Sequence, residues 1–250
     1  MSPNLEINSM LSKNQIKNIS QLKQKKFRET EQLFIAEGVK VIQELVASSL
    51  KLVHIYSTES HDFGVRSEQI TLISENDLKK ISALTNPNTC LAVFEIPKNE
   101  GLKNENLQVA LDDVRDPGNL GTIIRLCDWF GITELICSET TVDSYNPKVI
   151  QATMGSITRV KIYYLDLESH LKKTKVPVYG TFMDGENIYK QNLTTEGIIV
   201  MGNEANGISK QIEALVTNKI AIPRFGSLQA TESLNVATAT AITLSEFKRK

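Results

Sequence analysis

IPRFGSLQATESLNVATATAITLSEF, residues 222–247, is the stretch on which the reading of the fold turns, because its character changes twice. Ile220, Ala221 and Ile222 form a short apolar run that suits the end of a buried strand, and Pro223 closes it. Residues 224–232 are polar and include Gly226, which reads as a loop. From Leu234 onward small and apolar residues dominate (Ala237, Ala239, Ala241, Ile242, Leu244), ending on Lys248, Arg249 and Lys250. That pattern is a helix. Ser233 or Asn235 can cap its N-terminus, and the basic tail complements the negative end of its dipole. Small side chains let such a helix lie close to a neighbouring backbone. Taken alone, the stretch is a strand, a loop and a packed helix.

The 250 residues allow one large domain or two small ones. A hydrophobic share of 41% and a charged share of 23% are ordinary for a soluble globular protein. The formal net charge of −1 carries no global signature of nucleic-acid binding, so such contacts must rest on local clusters. Cys90, Cys127 and Cys137 are odd in number and lack metal-ligand spacing, which points to reduced thiols. His54, His61 and His170 are scattered, which argues against a histidine metal site or a triad. The opening MSPNLEINSM has neither the basic nor the apolar region of a secretory signal. No apolar run approaches the roughly 20 residues a membrane helix needs. These features predict a cytoplasmic protein with no metal and no membrane partner.

Residues 11–28, LSKNQIKNISQLKQKKFR, hold Lys13, Lys17, Lys23, Lys25, Lys26 and Arg28 and no acid. Leu11, Ile16, Ile19 and Leu22 recur at helical spacing, so the cations are expected on the outer face of a helix or helix pair. Such a face is either merely solvated or a phosphate-contacting patch, and the missing acids favour the patch, with Lys23, Lys25, Lys26 and Arg28 as RNA contacts. Strands are expected at residues 34–38, 52–56, 70–73 and 91–94, with helices at 39–46 and 77–84, which makes a small α/β domain. PKNEGLKNEN, residues 97–106, is polar and breaker-rich and reads as a linker. The boundaries expected are therefore 1–96, 97–106 and 107–250.

In the second half, near-continuous apolar strands are expected at 109–111, 134–137, 160–163, 178–182, 198–201 and 219–222. Helices fit between them at 120–130, 148–154, 167–173 and 209–216. Strands apolar on both faces and separated by helices predict a mostly parallel sheet in an α/β/α sandwich. Asp116-Pro117-Gly118-Asn119-Leu120-Gly121 sits between a strand and a helix, where backbone amides can meet a ligand, although a plain turn would look the same. There is no GxGxxG and no Walker lysine. Arg125 is flanked by Ile123, Ile124, Leu126 and Cys127, and an arginine in such a setting needs an anion, whether from an internal carboxylate or from a ligand.

Three stretches in order carry a resemblance: LDDVRDPGNLGTIIRLCDWFGI (111–132), IIVMGNEANGIS (198–209) and the stretch at 222–247. Together they resemble the three motifs of the SpoU (TrmH) family, ribose 2′-O-methyltransferases that act on RNA with S-adenosyl-L-methionine. The match is close over residues 107–247 and looser over 11–95, where Asn18, Leu22, Lys26, Arg28 and FIAEG (34–38) carry it. It implies an N-terminal substrate-binding domain similar to a ribosomal-protein RNA-binding fold, and a homodimer. It also implies a C-terminal trefoil knot, where periodicity alone would suggest a Rossmann-like sheet. By resemblance Arg125 is the catalytic residue, Asn119 helps hold the site, Glu204 anchors the first loop or Asn235, and Ser233 and Asn235 form the Ser-x-Asn pair. Cofactor contacts in the family run largely through backbone groups, at positions matching Gly202, Ile222, Leu234 and Thr181. The chain departs from the pattern at Gln151-Ala152-Thr153, where an arginine and a serine commonly precede Met-Gly, and at Cys127-Asp128, where Thr-Ala is usual.

Methyl transfer to a ribose hydroxyl is an in-line displacement that needs alignment and a path for one proton. Arginine is essentially always protonated. Two roles for Arg125 therefore stand side by side: general base in a special environment, or clamp on the target phosphate and the developing alkoxide. The N-terminal domain favours rRNA of the large subunit over tRNA. An RNA-binding module without catalysis is the alternative from another class, and the intact Asn119, Arg125, Glu204, Ser233 and Asn235 argue against it.

Overall fold

The computed structural model describes residues 10–98, 100–103, 106–226 and 233–249. The chain divides into two compact units, one of residues 1–98 with 143–158, the other of 99–142 with 159–250.

In the first unit, helix α1 (Lys13–Gln21) opens with a capping box: Ser12 Oγ accepts from the Gln15 amide, and the Gln15 side chain accepts from the Ser12 amide. Helix α2 (Lys25–Glu31) follows and ends on Gln32 in the left-handed region. Then come β1 (Leu33–Glu37), α3 (Val39–Val46), β2 (Leu52–Ser57), β3 (Ile70–Leu72), α4 (Glu75–Ile81) and β4 (Cys90–Glu95). The sheet runs β1-β4-β2-β3, antiparallel except for the β2–β3 pair. Its core gathers Ile19 and Leu22 from the helical hairpin with Ile35, Ile81, Leu91 and Val93. Helix α4 begins earlier than expected, because Ser74 caps it by accepting from the Asp77 amide at 3.1 Å.

Arg28 corrects the reading of the basic run. It is 2% exposed, and its guanidinium donates to Asp143 Oδ2 from Nε at 2.9 Å and from Nη2, and to the Leu22 carbonyl from Nη1 at 2.8 Å. A buried guanidinium needs a counterion and hydrogen-bond acceptors, and these three bonds occupy three of its five donors and pair its charge with a carboxylate, so Arg28 is structural and not a surface contact for phosphate. Lys25 and Lys26 are exposed, the first beside Glu29 at 3.6 Å. Lys23 is half-buried, donates to the Lys80 carbonyl at 3.3 Å, and burial holds its pKa below the usual lysine value.

The second unit starts with β5 (Leu107–Leu111), α5 (Pro117–Trp129) and β6 (Glu134–Ser138). The next helix, α6 (Pro147–Thr153), belongs to the first unit and packs on β1, where Tyr145 lies 4.9 Å from the Phe34 ring. The second unit resumes with β7 (Lys161–Leu165), α7 (Leu167–Lys173), β8 (Val178–Asn187), β9 (Gly197–Met201), α8 (Lys210–Glu213), β10 (Asn218–Ala221) and α9 (Val236–Lys248). The sheet order is β10-β8-β9-β5-β6-β7, and every pairing in it is parallel. β5, β6 and β9 are buried along their whole length, as a sheet covered on both faces requires.

Strand β8 runs five residues past the expected end at 182, because it carries a large bulge: β10 pairs with Gly180 and next with Glu186. At Gly185 a Cβ would lie 2.5 Å from the Ile220 carbonyl carbon, so the two backbones meet where no side chain fits. Helix α8 is shorter than expected. The Ala-rich α9 packs on α5 of its own chain, burying Val236, Ala237, Thr240, Leu244 and Phe247. The three cysteines are free and buried, and desolvation pushes the thiols up, to about 11 for Cys90 and about 12 for Cys127. Among the described residues no helix is long and apolar enough to cross a membrane, and no cluster of side chains suits a metal ion.

Candidate active site

The carboxyl ends of the parallel strands carry the loops singled out above. β5 leads into Asp112 and Asp113, and that turn is tied on several sides. The Asp112 carboxylate accepts from the Ser209 amide at 2.7 Å, the Asp113 amide donates to Ser138 Oγ at 2.9 Å, and Asn203 Nδ2 donates to the Asp113 carbonyl at 2.7 Å. Asp116 then caps α5, accepting from the Asn119 amide at 2.8 Å, with Pro117 in the first turn, where a missing N–H costs nothing.

Glu204 reaches back to this helix start. Its carboxylate accepts from Asn119 Nδ2 at 3.0 Å and from the amides of Asp116 at 3.2 Å and Arg115 at 3.3 Å. A carboxylate only accepts, so the Asn119 amide nitrogen must face it, and Asn119 Oδ1 must face the other way. There it accepts from Asn235 Nδ2 at 2.8 Å. That leaves Asn235 Oδ1 for the amides of Ala237 (2.9 Å) and Thr238 (3.2 Å), which caps α9. One chain of hydrogen bonds of fixed polarity thus fastens all three loops, with each donor and acceptor assigned by its neighbour. Burial pushes the Glu204 carboxyl up, but the side-chain bond from Asn119 and the backbone donors outweigh it, so its pKa lies below the usual glutamate value.

A depressed folded pKa contributes stability that is present above the unfolded value of about 4.3 and is lost as pH falls through the folded one. The Arg115 and Asp116 amides are therefore expected to stay protected at neutral pH and to lose protection in acid. Glu204→Gln should expose the Arg115 amide at pH 7 and spare the Asp116 amide, because the one carboxamide oxygen keeps the contacts of Oε1 with Asn119 and Asp116 while the nitrogen in place of Oε2 cannot accept. Amide hydrogen exchange checks both, and protection unchanged in Glu204→Gln would detach Glu204 from the loop.

Arg125 departs from its expected setting. On α5 the residues Leu120, Ile123, Ile124 and Cys127 face inward, while Thr122, Arg125 and Trp129 face outward, Trp129 being 83% exposed. Arg125 is exposed and makes no hydrogen bond or ion pair among the described residues, so the internal salt bridge is not found there. Flanking apolar residues misled because neighbours in sequence sit about 100° apart on a helix. Asp128, one of the departures from the family pattern, pairs with Arg159 at 2.9 Å.

Ser233 is exposed, and the cap falls to Asn235. Thr181 is half-buried just past Gly180, where the pairing of β8 with β9 ends, Ile222 is half-buried just past β10, and Leu234 is 48% exposed. A Cβ on Gly202 would lie 2.2 Å from the Gly207 carbonyl carbon, so only glycine lets this loop close on itself. Thr181 stands where the β8–β9 ladder stops, and Gly202 and Ile222 just past β9 and β10, on the edge where open parallel sheets bind ligands. Backbone and small or apolar side chains without a cation among them fit a cofactor with a positive sulfonium. Sequence reasoning missed the buried Asp112 and the Asn203 clamp. Their signal was two acids directly after an apolar strand.

The family model described as SpoU rRNA Methylase family matches residues 106–245, and one described as MRM3-like substrate binding domain matches residues 13–92. This chain belongs to the SpoU rRNA methylase family. A SpoU relative from Bacillus subtilis, 23S rRNA (guanosine(2553)-2′-O)-methyltransferase RlmP, is 28% identical over 239 residues, covering 92% of this chain and 95% of that protein. Among solved structures, a TrmH-family protein from Porphyromonas gingivalis is 37% identical, covers 96% of this chain and 99% of its own, and superposes with a TM-score of 0.84. An AdoMet-bound rRNA methyltransferase from Sinorhizobium meliloti is 28% identical, covers 97% of both chains and also scores 0.84. The SpoU match over 106–245 spans all three loops of the hydrogen-bonded chain.

Proposed function

We propose that this SpoU-family protein transfers a methyl group from S-adenosyl-L-methionine to a ribose 2′-hydroxyl of large-subunit rRNA. The observation that carries the reading is the Asn235–Asn119–Glu204 chain, which holds the three loops together at the carboxyl edge of the sheet with Arg125 solvent-facing on the same helix as Asn119. When bound, the cofactor supplies a methyl group whose sulfonium is already a good leaving group. Thr181, Gly202, Ile222 and Leu234 would hold it, largely through backbone. Asn119, Glu204 and Asn235 keep the loops in register, with Ser233 beside them as the other half of the Ser-x-Asn pair. Arg125, protonated, would clamp the phosphate beside the target ribose and stabilise the alkoxide as it forms, with the proton leaving to that phosphate or to water.

The reading includes a substrate-binding domain at 1–96, a linker at 97–106 and a methyltransferase domain at 107–250. It also includes a C-terminal trefoil knot, a cytoplasmic homodimer and no metal requirement. Support comes from the two family matches and from the RlmP relative's 23S rRNA name. The packing of α9 on its own α5 weakens one argument for the dimer, since Ala237 is already buried within the chain, while Ala239 and Ala241 stay half-exposed. The test is to map ribose methylation in total RNA with and without this protein and then repeat transfer on a 23S transcript in the presence of a chelator. Methylation lost from tRNA instead moves the substrate, and no loss in either fraction removes the activity.

Lys23, Lys25 and Lys26 remain as phosphate contacts in this reading, without Arg28. Changing all three to alanine is expected to lower the slope of log affinity against log salt by about 0.7–0.9 for each phosphate left without its lysine, with cofactor affinity preserved. RNA titrations at several salt concentrations read the slope. An unchanged slope makes the lysines a solvated face.

A further inference from the structure

Resting on that reading, we infer that Phe225, next in sequence to Arg224, is a stacking platform for a base of the RNA substrate. Phe225 is 85% exposed, in a protein whose other phenylalanines, among the described residues, are buried or half-buried. It lies beyond the carboxyl end of β10, in the connection from Ile222 to the capped start of α9 at Asn235. Met183 is 57% exposed, because the bulge in β8 lifts residues 181–185 out of the ladder with β10. Arg224 ties the two segments, with Nη2 3.7 Å from Met183 Sδ.

A bare ring and a bare thioether gain nothing from water; the ring lies past the end of β10 and the thioether in the bulge of β8, the strand beside it. The neighbouring guanidinium selects among occupants. An apolar protein surface would have to desolvate it, whereas a nucleotide leaves it hydrated and offers a π-face to the ring. Stacking tolerates any base, so the ring would orient the strand without reading its sequence, and methionine adapts to whichever base arrives. The occupant is therefore a nucleotide of the substrate strand.

The test uses the full chain and a fluorescein-labelled twelve-nucleotide oligouridylate, with affinity read by anisotropy. Base–aromatic contacts predict a roughly 5- to 150-fold weaker Kd for Phe225→Ala, near-normal binding for Phe225→Tyr and little rescue by Phe225→Leu. Calorimetry should find S-adenosyl-L-methionine affinity unchanged in all three. A 5-iodouridine-substituted 23S transcript should photocrosslink at Phe225, a readout independent of methyl transfer. Equal RNA affinity in Phe225→Ala, with no crosslink at that position, overturns the platform even if the wild type methylates the transcript. Weakened cofactor binding instead assigns the ring to the cofactor, and dissociation of an assembly on light scattering assigns it to a second copy of the chain. If the wild type methylates no RNA while the crosslink and the order of affinities hold, the failure lies with the catalytic reading and not with the platform.

Discussion

Arg125→Ala is expected to lower single-turnover methyl transfer by about 10²–10³-fold, the usual cost of removing one group aimed at developing transition-state charge. Cofactor affinity should stay within about twofold, because the sulfonium is positive and a guanidinium has no reason to approach it. The exposure of Arg125 strengthens the split between the two measurements. No internal partner is left behind when the side chain is cut, so the fold should be unaffected. Arg125→Lys should recover little, since an ammonium lacks the planar fork that grips phosphate oxygens. Transfer assays and cofactor calorimetry on the same preparations decide it. Transfer within about tenfold of wild type in Arg125→Ala would place the chemistry elsewhere, whereas a parallel loss of both quantities would make Arg125 part of the cofactor site.

Asp143→Ala is expected to cost about 3–5 kcal/mol in the unfolding of the first unit, because it strands the Arg28 guanidinium without its anion. Arg28 is 2% exposed and the Asp143 side chain 16%, so water cannot replace the missing partner without opening the structure. The double variant Arg28→Met with Asp143→Ala should recover most of the loss, since an apolar chain of similar length removes the charge along with the need for it. Urea unfolding of the two single variants and the double gives the cycle. A loss below about 1 kcal/mol in Asp143→Ala would show that the guanidinium reaches solvent. Failure of the double variant to recover would instead assign the cost to the packing of residues 143–158.

The local code was legible because it is written in neighbouring residues. Asn235 before an alanine-rich run announces a helix start through its own chemistry, whereas Asp116 with Pro117 starts α5 three residues before the expected 120. The apolar strands 109–111, 134–137 and 198–201 announced a parallel sheet buried on both faces, and all its pairings are parallel. Asn119, Glu204 and Asn235 could be named from motif order. Their junction could not, because the bonds span 85 and 116 positions in the chain.

Tertiary structure alone decided which way the cations face. Arg28 and Arg125 exchange the settings their neighbours suggest: the one in a lysine-rich run is buried, and the one among apolar residues is exposed. A side chain's surroundings are set by what packs on its helix face, and for Arg28 that is Asp143, 115 positions away. The same holds for residues 143–158, which follow a strand of one unit yet belong to the other, where α6 packs on β1. It holds again for the bulge in β8, where the close approach of Ile220 from a distant strand takes residues 181–185 out of the ladder. Periodicity reports which residues avoid water. Which distant partner meets them, and whether a charge finds its counterion, depends on contacts between segments far apart in the chain, and a pattern read along it holds no record of those.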